Sequence, residues 1–238
     1  MTMVDSGHPL FMTKGESLYR WESQPQAVTS GSRTLITVIG CGNAMVNSVP
    51  PFFVFPGLRI KSELLDGGGH GVDGTVTESR WSNSAVFKRY LEHHLLKYLP
   101  ERCLDNPVLI LYGHKSHINL GLIDWAKSQN IILFILPAHT SHVLQPLDVG
   151  CFGSFERIYS SVCHKFMRDN CGQSITRFNV CALGSNAYSQ ALSPNNLQAS
   201  FRKTGIYPYD PNAIDPSVFK PSDALQQETS SLQSIIQP

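Results

Sequence analysis

The sequence predicts an α/β fold, because a βαβ unit is indicated between residues 108 and 136. Two short apolar runs, at residues 108–111 and 131–136, are partly β-branched and bounded by turn signals, which is typical of buried parallel strands. Between them, residues 119–129 carry apolar side chains at helical spacing, with Asn119 placed to cap the helix start. Polar residues follow both strands directly. Since sites in open α/β sheets lie beyond the carboxyl ends of strands, we expect the functional site at this edge.

Length and composition favour one globular domain. The chain has 238 residues, of which 42% are hydrophobic and 16% charged, which argues against a disordered protein. A net charge of +1 does not by itself predict strong non-specific binding of nucleic acid. Six scattered cysteines without a CxxC pair, together with the lack of a signal peptide or of an apolar run long enough for a membrane, predict reduced thiols in an intracellular protein.

The first part of the chain is predicted to contain two strands. Residues 1–32 are polar, contain turn signals and are expected to be irregular. Residues 34–39 and 52–55 are rich in β-branched and aromatic side chains, which favours strands. Pro50 and Pro51 are expected to end the first of them, since proline cannot donate to a sheet ladder.

A glycine-rich segment and a helix precede the βαβ unit. Residues 66–74 superficially match a calcium-binding nonapeptide, but such repeats act in stacked arrays, so a single copy favours a flexible loop. Residues 84–99 have an apolar stripe at spacings of 3 and 4 and end at Pro100, which predicts a helix. We interpret His93 and His94 within it as surface or packing residues rather than ligands.

The chain after Asp148 is predicted to be helical, with helices at residues 152–169, 179–192 and 195–203. Between residues 152 and 209 there are six basic and two acidic residues, a modest basic excess of +4. This excess is compatible with a DNA-backbone surface and also with ordinary solvated helix faces. Residues 215–238, rich in Ser, Gln and Pro, are predicted to form a disordered tail.

Four histidines follow the two predicted parallel strands in an H-x2-H…H-x2-H arrangement: His114, His117, His139 and His142. This spacing could suggest zinc. Structural zinc sites rely on thiolates, however, and these loops contain no cysteine, so zinc is the less favoured interpretation.

Several motifs resemble the DDE superfamily endonuclease domain of pogo-type transposases, the group with Tigger, Jerky and centromere protein B relatives. Residues 110–117 read Ile-Leu-Tyr-Gly-His-Lys-Ser-His, where that family reads Leu-Leu-Asp-Gly-His-x-Ser-His. Residues 137–148 contain its Pro-x-His-Thr-Ser-His and Gln-Pro-Leu-Asp elements, and residues 38–51 and 201–208 match further motifs. The resemblance extends from residue 4 to about residue 214.

The resemblance implies a ribonuclease H-like fold, with a mixed sheet flanked by helices and a helical C-terminal extension. On this basis residues 1–150 form the endonuclease-like core and residues 151–214 the helical part of the same domain. In such folds the first strand carries the first catalytic acid and lies in the middle of the sheet. Only four residues precede Asp5, so the resemblance implies a truncated N-terminal strand and a poorly stable isolated chain.

The family is understood to use three acidic side chains that hold two Mg²⁺ or Mn²⁺ ions for phosphoryl transfer. By the motifs, Asp148 matches the third acid and Tyr112 stands where the family has the second. For the first acid two registers remain open. Without a gap, Val4 falls on the catalytic position and Asp5 on the following Glu, whereas a one-residue deletion makes Asp5 the catalytic and metal-binding residue. The ungapped register is favoured because it needs no extra event.

These residues predict a transposase-derived, nuclear protein that binds DNA without cleaving it and holds Mg²⁺ or Mn²⁺ only weakly. A set of histidines and basic residues is expected to face DNA: His114, His117, His139, His142, Arg202 and Lys203. Two alternatives remain open, an active metal-dependent DNA endonuclease using Asp5 and Asp148, and a protein interaction module on the inherited fold. No membrane contact is expected, and the oligomeric state is left open.

Overall fold

The computed structural model describes residues 10–18, 36–78, 84–100, 103–105, 107–112, 119–137, 140–171, 173–215 and 218. Its strands are β1 Leu10–Leu18, β2 Ile36–Asn43, β3 Ser48–Pro56, β4 Asp73–Thr77, β5 Val108–Tyr112 and β6 Ile131–Ile135. Within the described residues they form a single six-stranded sheet in the order β4-β3-β2-β1-β5-β6.

The sheet is mixed, and its first strand lies in the middle. On one side, β1 pairs antiparallel with β2, and β2 pairs antiparallel with β3. On the other side, β1 pairs parallel with β5, and β5 pairs parallel with β6. This arrangement confirms the predicted ribonuclease H-like α/β class. The added outer strand β4, which pairs parallel with β3, was not predicted, because its first two residues, Asp73 and Gly74, belong to the glycine-rich segment that favours a loop.

The prediction of a truncated N-terminal strand is wrong. The central strand comprises Leu10–Leu18, nine residues within the stretch that was expected to be irregular, whereas Asp5 lies outside the described residues. It pairs with β2 from Phe11↔Asn43 to Leu18↔Ile36, and with β5 from Leu10 to Thr13. Residues that read locally as polar or turn-forming become a strand because both neighbours offer backbone partners, an example of tertiary pairing overriding propensity. The stated reason for poor stability therefore falls away.

The two prolines lie inside β3 rather than ending a strand. Ile39 pairs with Phe52 and Cys41 with Val49, so Pro50 and Pro51 together face the single residue Gly40 in a β-bulge. The two prolines have no backbone N–H to donate here, and the side chain of Tyr188 replaces part of the backbone hydrogen bonding between β2 and β3. The buried Tyr188 hydroxyl accepts from the Cys41 N–H at 3.0 Å and donates to the Val49 carbonyl at 2.8 Å. A helix thereby stabilises the sheet where its ladder is interrupted.

Helices cover both faces of the sheet. They are α1 Ser84–His93, α2 Leu120–Ser128, α3 Ser141–Leu144, α4 Phe152–Asp169, α5 Val180–Ala191 and α6 Pro194–Lys203. One apolar cluster joins α1 and α2 to the face that presents Ile39, Phe52 and Val54. The other joins α4, α5 and α6 to the opposite face, which presents Val38, Phe53 and Phe55. The alternation along β2 and β3 is the two-residue period of a strand buried on both faces.

Capping residues lie at three helix ends, and the predicted cap of α2 is confirmed. The Asn119 side chain caps α2 by accepting from the Leu122 N–H at 2.9 Å. Ser193 caps α6 with Pro194 in the first position, and Gly205 follows the helix with φ +66°. The helix at residues 84–99 is shorter than predicted. It ends at His93, and a 3-10 helix at Leu95–Tyr98 continues the chain.

His94, at this break, is buried against strand β3. Its Nε2 lies 2.8 Å from the Pro50 carbonyl oxygen, and the ring packs against Phe52, Tyr90 and Tyr98 at centroid distances of 5.3 to 5.6 Å. His93 is exposed. The interpretation of both as surface or packing residues is therefore confirmed.

The turn before α4, Leu147–Cys151, is π-helical and packs against α6. Gly150 and Ser200 meet there, and a side chain at residue 150 would overlap the Ser200 hydroxyl and lie 3.2 Å from the Ser200 Cα. The Cys151 Sγ also lies 3.4 Å from the Ser200 Oγ. The C-terminal helix therefore docks directly on the turn that carries Asp148.

We expect Gly150→Ala to lower the free energy of unfolding by about 1–3 kcal/mol, because the added methyl group forces α6 away from the turn. The matched control is Gly153→Ala, where no atom lies within 4 Å of the new methyl group. Since alanine is the better helix former, the control should be neutral or stabilising by up to about 1 kcal/mol. Urea denaturation of both variants measures the difference. Equal stabilities would contradict the close packing of α6 on this turn.

We also expect His94 to make the fold acid-sensitive. Burial lowers the pKa of His94 because it disfavours the charged ring, and this outweighs the hydrogen bond to the Pro50 carbonyl and the charge of Asp73, which both raise the pKa. In the unfolded chain the imidazole has its ordinary pKa of about 6.5. The unfolded state therefore binds more protons as pH falls below that value, and stability is lost between there and the lower folded pKa.

Unfolding measured between pH 7.5 and 5 tests this expectation. The variant His94→Gln, which keeps a hydrogen-bond donor but cannot titrate, should lose less stability than the wild type over that range. The exposed neighbour provides the control, since His93→Gln should leave the pH dependence unchanged. Parallel curves for the wild type and His94→Gln would show that His94 has no such effect.

Candidate functional site

The candidate site lies where the parallel strands β1, β5 and β6 run towards the same edge of the sheet. Tyr112 is the last residue of β5, and its Cα partners are Thr13 of β1 and Ile135 of β6. Polar groups at such carboxyl ends are well placed to meet a substrate. At this level of the sheet, however, neither β1 nor β5 carries an acidic residue.

Asp148 is held on the turn between α3 and α4. Its N–H donates to the Gln145 carbonyl at 3.0 Å, and the Gln145 residue is buried. Leu147 and Cys151 on the same turn are also buried and belong to the core shared with α4, α5 and α6. One carboxylate oxygen of Asp148 is inaccessible to solvent. The turn also contacts β1, so Asp148 is carried by a rigid segment beside the central strand.

The described residues do not fit a two-metal centre. Mg²⁺ and Mn²⁺ require hard oxygen ligands, and a pair of ions requires several carboxylates. Thr13 of β1 and Tyr112 at the end of β5, which pair with each other, bring no charge at neutral pH. Within the described part of the chain, no group of three or more His, Cys, Asp or Glu side chains is placed to hold a metal. Asp5, the proposed first acid, lies outside the described residues.

The histidines are only partly described. His142 is exposed on the short helix α3. His114, His117 and His139 lie outside the described residues, so whether the four approach one another stays a prediction. Cys151, the thiol nearest to Asp148 along the chain, is no evident ligand, because burial raises its pKa and keeps it protonated.

The two basic residues expected to face DNA end helix α6. Arg202 and Lys203 are both exposed and lie in its last turn. Ser200, one turn from them, is buried against Gly150. This places an exposed pair of positive charges on the element that packs against the Asp148 turn. Whether these charges contact DNA stays a prediction.

Sequence reasoning did not identify Thr13. The acid register was considered only around Asp5, whereas the strand adjacent to Tyr112 begins at Leu10 and places Thr13 beside it. The acidic residue that β1 does carry, Glu16, pairs with Val38 three positions farther along. No local signal could have identified Thr13, because its neighbour is set by a parallel pairing across about a hundred residues of chain.

Comparisons with known proteins give a family and several similarities. Residues 32–201 match the model of a family described as DDE superfamily endonuclease. Over 198 residues the chain is 29% identical to the MFS-type transporter clz9 of Cochliobolus lunatus, a match that covers 80% of this chain. The chain spans only about a fifth (21%) of the length of that curated relative. In the described part of the chain, no helix is long and apolar enough to cross a membrane.

Among solved structures, the chain is similar to the catalytic domain of Mos1 mariner transposase, with 14% identity and a TM-score of 0.36. That match covers 80% of this chain and 81% of the other. It is also similar to the Mos1 mariner paired end complex with Mn, with 15% identity, a TM-score of 0.40 and coverage of 80% and 55%.

The family match rests on most of the chain rather than on one motif. It includes β2 to β6, the Asp148 turn and the helices up to Phe201. These residues build five of the six described strands, all but β1, and the turn described above. The chain therefore belongs to the DDE superfamily endonuclease family.

Proposed function

We propose that this chain is a DNA-binding protein derived from a pogo-type transposase, acting in the nucleus and lacking DNA cleavage. The observation that carries the proposal is the pairing of Thr13 of β1 with Tyr112 at the end of β5, which leaves neither of these parallel strands with an acidic residue at this level of the sheet. These are the strands from which a DDE centre would draw its first two carboxylates. Asp148 alone remains of the acids that the motifs identify within the described residues.

The chemistry of these side chains supports the loss of cleavage. A phenol with a pKa near 10 is neutral at physiological pH and contributes no charge to offset two dications. Two ions held about 4 Å apart must clamp the attacking and leaving oxygens. The lack of a carboxylate charge at residue 112 therefore affects the cleavage reaction itself as well as the affinity for the ions. A threonine hydroxyl is likewise uncharged and a weaker ligand for a hard cation.

The helical part supports retention of DNA binding. Residues 152–209 include six basic and two acidic residues. Two of the basic ones, Arg202 and Lys203, lie on the helix that docks on the Asp148 turn. Contacts with phosphates need positive charge and hydrogen-bond donors, not metal-binding carboxylates. Loss of the acids therefore leaves this interaction available.

One observation favours an active endonuclease as a second candidate: the turn that carries Asp148 is held in place by close contacts. These are the Asp148 N–H bond to Gln145 and the close Gly150–Ser200 contact. The two candidates differ in a single measurable property, metal-dependent cleavage.

We expect no cleavage of supercoiled or linear duplex DNA by this chain with Mg²⁺ or Mn²⁺, because one carboxylate cannot hold two ions. Agarose gel analysis over several hours measures nicking. Asp148→Ala provides the control, since any trace activity that it does not abolish comes from a contaminant. Robust nicking by the wild type that is lost in Asp148→Ala would establish the active endonuclease instead.

We expect Tyr112→Asp to tighten Mn²⁺ binding by about tenfold or more without restoring efficient cleavage. A charge pair about 4 Å apart near a protein surface interacts by about 4 kcal/mol, and 1.4 kcal/mol already corresponds to tenfold. Tyr112→Asn, which has the same size as the aspartate variant but no charge, is the matched control and should bind as the wild type does. Calorimetric titration with Mn²⁺ measures the affinities. Indistinguishable binding by all three proteins would exclude residue 112 from a metal site.

A further inference from the structure

A groove of about 390 Å³ lies on the outer surface of the helical part. Its floor is one face of α4, where Ser154, Arg157 and Ser161 follow one another at helical spacing. The opposite wall is formed by Gln190 at the end of α5 and Asn196 at the start of α6. The volume is within the range of ligand-binding clefts, and the groove opens to solvent.

Arg157 is held in a defined orientation in this groove. Its Nε–H donates to the Gly153 carbonyl at 3.2 Å, and one of its terminal N–H groups donates to the Ser154 hydroxyl at 3.2 Å. An arginine has five N–H donors, so three remain for a ligand. Within the described residues Arg157 has no salt-bridge partner. These hydrogen bonds direct the guanidinium into the groove and leave N–H groups available for an oxyanion.

The remainder of the lining suits a phosphodiester rather than a cation. No Asp or Glu is among the residues that line this groove. The two amides are already engaged, with Gln190 donating to Asn186 and Asn196 donating to the Ala191 carbonyl, and so fix the wall in place. Ile158 and Val162 add an apolar strip beside the guanidinium, which a sugar ring could cover.

The groove is separate from the position of the acids. Arg157 follows Asp148 by nine residues and lies on α4. None of the residues that line the groove belongs to the turn Leu147–Cys151, which carries Asp148. A ligand in the groove therefore leaves the Asp148 turn open.

We infer that this groove is a second nucleic-acid contact, in which Arg157 binds a backbone phosphate of DNA while Ile158 and Val162 pack against the sugar. The inference rests on the proposed DNA-binding function and adds to it a surface outside the DDE position. Such a contact contributes affinity without sequence preference, since phosphates carry no sequence information. A phosphate contact at Arg157 does not require Asp148, the acid that the family uses for cleavage.

Binding of a labelled duplex oligonucleotide to the full chain over a salt series tests the inference. The replacements Arg157→Gln and Arg168→Gln form a matched pair, because both remove one exposed positive charge from α4 and only Arg157 lines the groove. A second groove variant, Ser161→Asp, places a negative charge beside the phosphate position. Thermal melting of each variant checks that the fold is retained.

We expect Arg157→Gln to weaken binding roughly tenfold at low salt, the usual loss for a charged hydrogen bond, and to reduce the slope of log K against log salt by about 0.9. Ser161→Asp should weaken binding as well, whereas Arg168→Gln should bind nearly as the wild type does.

Equal effects of Arg157→Gln and Arg168→Gln would overturn the groove while leaving DNA binding intact, since only overall charge would then matter. Absence of DNA binding by the wild type would instead overturn the proposed function together with this inference.

Discussion

Strand β1 pairs antiparallel with β2 and parallel with β5, and the rest of this structure depends on this double pairing. Within the described residues, β1 alone connects the β2–β4 half of the sheet to the parallel pair β5 and β6. All eight residues of β2 are buried, so both faces of the sheet are covered near its centre. A slip of one residue would exchange the two faces of a strand, and it would therefore cost burial on both sides. The register that sets Thr13 beside Tyr112 is consequently a property of the whole sheet.

A second constraint transmits the position of the sheet to the Asp148 turn. Tyr188 binds the sheet at the bulge opposite Gly40, where a side chain would lie 2.9 Å from its ring. Leu197 of α6 packs against Gly42 of the same strand, and Ser200 packs against Gly150. These close contacts run from the middle of β2 through α5 and α6 to the turn. They hold Asp148 in place whether or not carboxylates surround it, which separates the fold of this family from its chemistry.

Much of the candidate site could be predicted from local sequence. Strand β5 was predicted at residues 108–111 from a short apolar run, one residue short of its observed end, and α2 followed from helical spacing and the Asn119 cap. The helix after Asp148 and the start of α6 at Ser193 and Pro194 followed from equally local signals. All of these depend on interactions between residues a few positions apart, and such interactions leave a pattern in the chain. The central strand was missed because Lys14 and Gly15 favour a turn when their partners are unknown.

The sequence by itself determined the family motifs, the βαβ unit, the helices and the absence of an acidic side chain at Tyr112. Only the tertiary structure decided that Leu10–Leu18 is the central strand, that Thr13 is the neighbour of Tyr112, and that Pro50 and Pro51 lie within β3. It also decided that Ser154, Arg157 and Ser161 face Gln190 and Asn196 across a groove. The physical reason is the same in each case. Backbone pairing between strands and close packing between helices join residues far apart in the chain, and their free energy exceeds the local preferences that a sequence displays.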